Sequence, residues 1–136
     1  MNRGIRIKPV VPIEYRLLIT PKLKERERKI VTLVALRTMV EFTNFHYDII
    51  VEPECTDRTL RFTIRGLRAP QVSLPGTGPA VFKTEYDGLH GTYNVIVSKH
   101  GKDENLFSVH ISNNEIRLKK IPEKKFVEIV TKEVEW

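Results

Sequence analysis

The chain has 136 residues, of which 40% are hydrophobic and 29% are charged. This length and composition favour one folded domain with its own core, and they exclude a chain that is disordered throughout. The single cysteine, Cys55, excludes an intrachain disulfide, and the longest apolar stretch is too short to span a membrane as a helix. The first residues lack the apolar run of a signal peptide, so we expect one cytoplasmic domain over 1–136 with no membrane contact.

The net charge of +6 is unevenly distributed along the chain. Residues 1–38 carry ten Lys and Arg against three acids, beginning with a basic N-terminal arm at about 1–12. Residues 39–57 carry five acids and no Lys or Arg. Opposed blocks of this kind favour attraction within the fold, attraction between copies, or a basic face for an anionic partner.

The segment 20–42 is compatible with two secondary structures. Thr20 and Pro21 suit a helix start, and the charged residues after them favour a turn or short helix at 21–28. From Ile30 onward the residues are apolar on both faces and often β-branched, which favours a central strand over 29–42. A single helix within 21–40 is the alternative, and it would make the fold α+β.

Further strands are predicted at 46–52, 60–64 and 80–86. Apolar and polar residues alternate over 60–64, whereas 46–52 has an apolar centre of Ile49, Ile50 and Val51. The intervening segment 66–79 holds three prolines and three glycines. Such a composition cannot continue a ladder, so it predicts a long loop or a crossover between sheets.

Four arginines in and around the strand at 60–64 form a candidate binding face for an anion or a partner: Arg58, Arg61, Arg65 and Arg68. Strand alternation puts Arg61 and Arg65 on the outward face, about 13 Å apart. Two guanidiniums on one face can hold carboxylates or phosphates bidentately. Nucleic acid binding favours interleaved aromatics, but Phe62 alternates to the opposite face. Pairing with acids of neighbouring strands is the simpler interpretation.

Leu89, Gly91 and Tyr93 enter the next strand at a two-residue spacing that suits a tyrosine corner. In such a corner the tyrosine is buried and its hydroxyl bonds to upstream backbone, here at 86–91. Alternation then predicts strands at 93–97, 107–111 and 116–119, and a segment rich in β-branched residues predicts the last strand at 126–134. The predicted fold is therefore all-β: a Greek-key β-sandwich, immunoglobulin-like, of about eight strands.

The residue types that carry chemistry form no recognised motif. The four histidines, His46, His90, His100 and His110, lack a metal-ligand spacing, and no histidine adjoins Cys55. No serine has the Gly-x-Ser-x-Gly context, and the glycine-rich stretch 76–78 lacks the lysine of a phosphate-binding loop. We expect no metal, no cofactor and no catalysis, with an enzyme or metal protein built on the histidines as the remote alternative.

These patterns predict a non-catalytic module that acts through protein–protein contacts, in a binding, adaptor or assembly role. Its many strands with pairable edges and its opposed charge blocks suit docking to a protein, self-association included. The alternative is an anion or nucleic-acid binder that uses the basic arm and the arginine-bearing strand 58–68.

Overall fold

The computed structural model describes residues 12–69, 75–99 and 103–136. Strands dominate these ranges, in which the only helical element is a 3-10 turn at Glu133–Glu135. The predicted all-β class is therefore confirmed, with nine strands rather than about eight. They are β1 (Tyr15–Lys24), β2 (Lys29–Phe42), β3 (Asp48–Thr56), β4 (Thr59–Arg68), β5 (Gly78–Tyr86), β6 (Gly91–Lys99), β7 (Asp103–Ile111), β8 (Ile116–Lys120) and β9 (Val127–Val130).

All nine strands belong to one mixed, curled sheet in the order β8-β7-β6-β4-β3-β5-β2-β1-β9. A single residue pair, Asp48 with Val81, connects a five-stranded half that ends at β3 to a four-stranded half that begins at β5. Most neighbouring strands are antiparallel, but three pairs are parallel: β4 with β6, β1 with β9, and β3 with β5. These pairings do not confirm the Greek-key, immunoglobulin-like sandwich expected from the sequence.

The main core is a cluster that takes buried side chains from every strand. In β4, Leu60, Phe62 and Ile64 are at most 1% exposed, because every second residue of a strand faces the same side. Burying a side chain of this size stabilises the fold by about 1.5–3 kcal/mol. Alternation therefore fixes which face of each strand lies inside.

Strands β1 and β2 are buried on both faces. Leu17 and Ile19 face the main core, whereas Leu18 packs in a second cluster with residues of β2 and β9, against which Trp136 packs. Arg37 donates a hydrogen bond to the Trp136 backbone oxygen at 2.8 Å, which holds the C-terminal turn in place. This cover explains why the middle of β2 is apolar without alternation.

The turn predicted at 21–28 is confirmed only over 25–28, whereas the short helix at 21–28 and the alternative helix within 21–40 are wrong. β1 is not among the strands that the sequence analysis predicts, yet it runs through Pro21 to Lys24, and a tight turn fills 25–28. β2 then begins at Lys29, as the pattern predicts. Pro21 lies beyond Leu18, the last β1 residue paired with β9. A proline is tolerated there because β1 is an edge strand at that point.

The predicted loop 66–79 is partly strand, because β4 extends to Arg68 and β5 begins at Gly78. Residues 70–74 of this loop lie outside the described residues. β4 passes a β-bulge, since Ile64 and Gly66 pair with consecutive β3 residues and leave Arg65 as the extra residue. The last strand is shorter than the predicted 126–134, because β9 ends at Val130.

Asn105 ties β7 to the start of β9, although these strands lie near opposite ends of the strand order. It is 2% exposed, and its Oδ1 accepts hydrogen bonds from the backbone N–H groups of Phe126 at 2.8 Å and Val127 at 3.0 Å. Its Nδ2 donates to the Lys124 carbonyl at 3.2 Å. One buried side chain thus helps to hold the curl of the sheet.

Candidate functional site

Three of the four candidate arginines form ion pairs with acids. Arg61 lies 2.7 Å from Glu104, Arg65 lies 3.0 Å from Glu52, and Arg68 lies 3.5 Å from Asp48. Arg65 holds the pKa of the Glu52 carboxyl below its ordinary value. The outward face of β4 therefore presents paired charges, and the pairs compete with an added anion for these guanidiniums.

Arg58, the fourth, is bound within the fold. Its guanidinium donates a hydrogen bond to the His90 carbonyl and lies 5.0 Å from the centre of the Tyr93 ring. Tyr93 is buried, as the corner predicts, and Leu89 packs against the core beside it. Among the described residues, however, the Tyr93 hydroxyl bonds to no backbone group of 86–91. The side chain that bonds to the backbone of this turn is Arg58, through the His90 carbonyl, and not the Tyr93 hydroxyl.

The junction of β3 and β5 is the main irregularity of the sheet. Asp48 pairs with Val81 in parallel, but no further pair joins the two strands, although β3 continues to Thr56 and β5 to Tyr86. Beyond Asp48, the β3 edge that faces away from β4 pairs with no described strand. Beyond Val81, the β5 edge that faces away from β2 is likewise unpaired within the described ranges. We call the space between these edges, 49–56 of β3 and 82–86 of β5, the β3–β5 gap.

Inward-facing residues of β3 are exposed at this gap. Pro53 and Cys55 lie directly opposite Phe62 and Leu60, and partners in such pairs share a face of the sheet. Phe62 and Leu60 are buried, yet Pro53 and Cys55 are exposed. The inner layer is therefore incomplete at this point, as expected where a neighbouring strand is missing.

The opposite wall of the gap is aromatic. Phe82 and Tyr86 of β5 are half-buried, and the ring centres of both lie 6.4 Å from that of Phe62. Burial raises the pKa of Tyr86, and the nearby Cys55 raises it further when it carries charge. The two walls thus approach each other through side chains, without strand pairing.

The outward side of the β3 edge is acidic. Glu52 and Glu54 alternate with the inward residues, and Glu54 lies directly opposite Arg61. Because Arg61 binds Glu104 instead, Glu54 has no ion pair with any described residue. Pro53 offers no N–H group, which fits an edge strand and removes one donor from this edge. The gap is therefore apolar within, and its β3 rim carries one carboxylate, Glu54, that pairs with no described residue, whereas Glu52 is held by Arg65.

The other two sheet edges are less suited to pairing. β8 carries Arg117, Lys119 and Lys120 on five residues, and lysines on an edge discourage the addition of a strand. β9 has four residues, and Asn105 already binds the N–H group of the first, Val127. The β3 edge is the longest that no described strand occupies.

The histidines do not converge. His46 lies against Gly76, His90 gives its carbonyl to Arg58, and His110 lies 3.3 Å from the Thr92 hydroxyl. His100 lies outside the described residues, as does nearly all of the basic arm at 1–12. Within the described part of the chain, no three His, Cys, Asp or Glu side chains are grouped closely enough to hold a metal ion.

Sequence reasoning does not find the β3–β5 gap, because a missing strand pair leaves no local pattern. Pro53 in an otherwise regular strand is the one signal that marks β3 as an edge.

In the described ranges, no helix has the length and apolar character needed to cross a membrane. No family model, no curated protein and no solved structure matches the chain.

Proposed function

We propose that this protein is a non-catalytic binding module that accepts an extended segment of a protein partner along the free β3 edge. The observation that carries the proposal is the single pair between β3 and β5, which leaves interior-facing residues exposed beside unpaired backbone. An added strand would pair its backbone with β3 and cover the apolar side chains, and this mode of recognition is common in peptide-binding domains. A free β3 edge suffices, whether or not the fold is a Greek-key, immunoglobulin-like sandwich.

The chemistry of the gap defines the segment that would fit. Residues of one parity would face Cys55, Phe82 and Tyr86 and should be apolar. Residues of the other parity would lie beside Glu52 and Glu54 and should be basic. The partner is therefore a protein segment in which apolar and basic residues alternate. A reducing cytoplasm would keep Cys55 as a thiol and leave the gap open.

The alternative, an anion or nucleic-acid binder that uses the arginine face, has less support. Nucleic acid would have to displace Glu104 and Glu52 from Arg61 and Arg65, and no aromatic side chain interleaves with them for stacking. An enzyme has less support still, since catalysis needs polar groups that converge on one site.

Hydrogen exchange tests the proposal directly. A short peptide of alternating isoleucine and lysine should slow amide exchange over 50–56 while leaving β8 unchanged. A peptide of the same composition, with its isoleucines and lysines in two blocks, should give no such protection, because only alternation presents one apolar face.

Two threonine substitutions provide the matched variants. Thr84→Arg places a long charged side chain in the gap and should abolish the protection. Thr92→Arg makes the same change on the exposed outer face of β6 and should preserve it. Absence of protection in the unaltered protein, or equal protection in Thr84→Arg, would contradict strand addition at the gap.

A further inference from the structure

We infer that the strand received by the β3–β5 gap is the N-terminal segment 4–8 of a second copy of this chain. This inference rests on the proposed strand addition and names its partner. The evidence is the residue pattern of the segment, the charge along β3, and the direction in which the chain enters β1.

The segment has the alternation that the gap requires. Ile5 and Ile7 fall on one face of an extended strand, and Arg6 and Lys8 fall on the other. The two isoleucines would cover the exposed inward residues of β3 and contact Phe82 and Tyr86. Five residues extend over about 17 Å, which is within the length of the free β3 edge.

The outward side chains of the segment complement the rim of the gap. Residues 1–11 include three basic residues and no acid, whereas 39–57 include five acids and no Lys or Arg. With Ile5 and Ile7 inward, Arg6 and Lys8 would lie on the same side as Glu52 and Glu54. Glu54 has no ion pair with a described residue, so it is available to a cation from another chain.

The course of β1 favours a second copy over the chain's own segment. Tyr15, the first residue of β1, pairs with Thr38, and the neighbouring Arg37 pairs with Val81. β1 thus begins at the joined end of the gap and runs in the direction of β5, because both are antiparallel to β2. A preceding segment would have to reverse and cross β2 and β5 to enter its own gap. Two copies related by a two-fold axis would exchange segments without this reversal and form a closed dimer.

The single cysteine at the gap allows a direct test by disulfide formation between two full-length chains. One chain carries Ile7→Cys with Cys55→Ser, or Ile5→Cys with Cys55→Ser, and the other keeps the native Cys55. The mixture is oxidised and run on a non-reducing gel, and the linked peptides are identified by mass spectrometry. The matched control carries Arg6→Cys with Cys55→Ser, which turns the thiol to the opposite face.

We expect at least one isoleucine position to give about tenfold more disulfide-linked heterodimer than Arg6→Cys, because a one-residue shift reverses the facing of a side chain. Equal yields at all three positions would overturn the inference. So would an intramolecular disulfide in a chain that keeps Cys55 and carries Ile7→Cys, since the segment would then occupy its own gap. Either result leaves the proposed function standing if the isoleucine–lysine peptide still protects β3, whereas loss of that protection removes both.

Discussion

Arg58 is a candidate ligand-binding residue whose contacts in the fold are structural. Its guanidinium bonds to the His90 carbonyl and covers the Tyr93 ring, and Gly91 provides the space. A Cβ on Gly91 would lie 3.1 Å from Arg58 Nη1, and its φ of 95° favours glycine in any case. Arg58 lies against both Gly91 and Tyr93, so a substitution at Gly91 would disturb the contact of Arg58 with the turn.

Tyr86 provides a pH-dependent test of the gap at the level of one residue. Burial raises its pKa above the ordinary 10.0, and the neighbouring Cys55 raises it further. A raised tyrosine pKa means that the folded state favours the neutral phenol. The resulting stability is present below pH 10.0 and is lost as the pH rises through the raised pKa. The phenolate absorbance that Tyr86→Phe removes should therefore have a midpoint above 10.0.

Two further observations sharpen this titration. Cys55→Ser should lower the Tyr86 midpoint, because it removes the second charge while leaving the burial in place. The Tyr86 titration is the difference between the unaltered protein and Tyr86→Phe. If its midpoint lies at or below 10.0, Tyr86 is solvated and does not line a dry wall of the gap.

At the scale of elements, β9 shows how a short strand is held. It has four residues, pairs in parallel with β1, and receives its second attachment from the Asn105 side chain. The backbone N–H groups of Phe126 and Val127 both depend on Asn105 Oδ1. Its register is therefore held from two sides, by pairing with β1 and by the side chain of Asn105.

Asn105→Leu should therefore destabilise the protein by about 2 kcal/mol or more, since it leaves buried donors without an acceptor. Urea denaturation measures the loss, and hydrogen exchange should show that β9 opens before the rest of the sheet. The matched control is Asn94→Leu, the same change at an exposed position of β6, which should alter stability by less than about 0.5 kcal/mol. Equal losses in the two variants would contradict the role of Asn105 in attaching β9.

For the whole molecule, the binding of anions depends on charge pairing as much as on net charge. The chain carries +6 overall, but carboxylates bind three of the four arginines of the candidate face. Exposed pairs of this kind contribute little to stability. Their larger effect is on recognition, because a paired guanidinium attracts phosphate more weakly than a free one.

The double variant Arg61→Glu with Arg65→Glu tests the candidate face. Its control, Arg26→Glu with Arg28→Glu, makes the same change of charge in the β1–β2 turn. We expect the two double variants to bind nucleic acid equally weakly. Any binding should be that of a basic chain, weak at physiological salt and lost as salt rises. Filter binding across a salt series measures both variants. Tight, salt-sensitive binding that only the Arg61 and Arg65 substitutions abolish would favour the anion-binding alternative.

The sequence by itself determined most of the strands and their inward faces, because both follow from neighbouring residues, but it did not reveal β1. The alternation of Leu60, Phe62 and Ile64 predicts the buried face of β4, and the apolar run after Ile30 predicts a central strand. Pro21 does not distinguish between two structures, since a proline suits both a helix start and an edge strand. The same alternation predicts that Arg61 and Arg65 face outward.

Only the tertiary structure decided which strands meet and where they stop meeting. The pairing of Arg61 with Glu104, the attachment of β9 by Asn105 and the single contact of Asp48 with Val81 all join residues far apart in the chain. Such contacts depend on the packing of the whole sheet, so no local spacing encodes them. The β3–β5 gap is of this kind, because it arises where two regular strands lack further pairing.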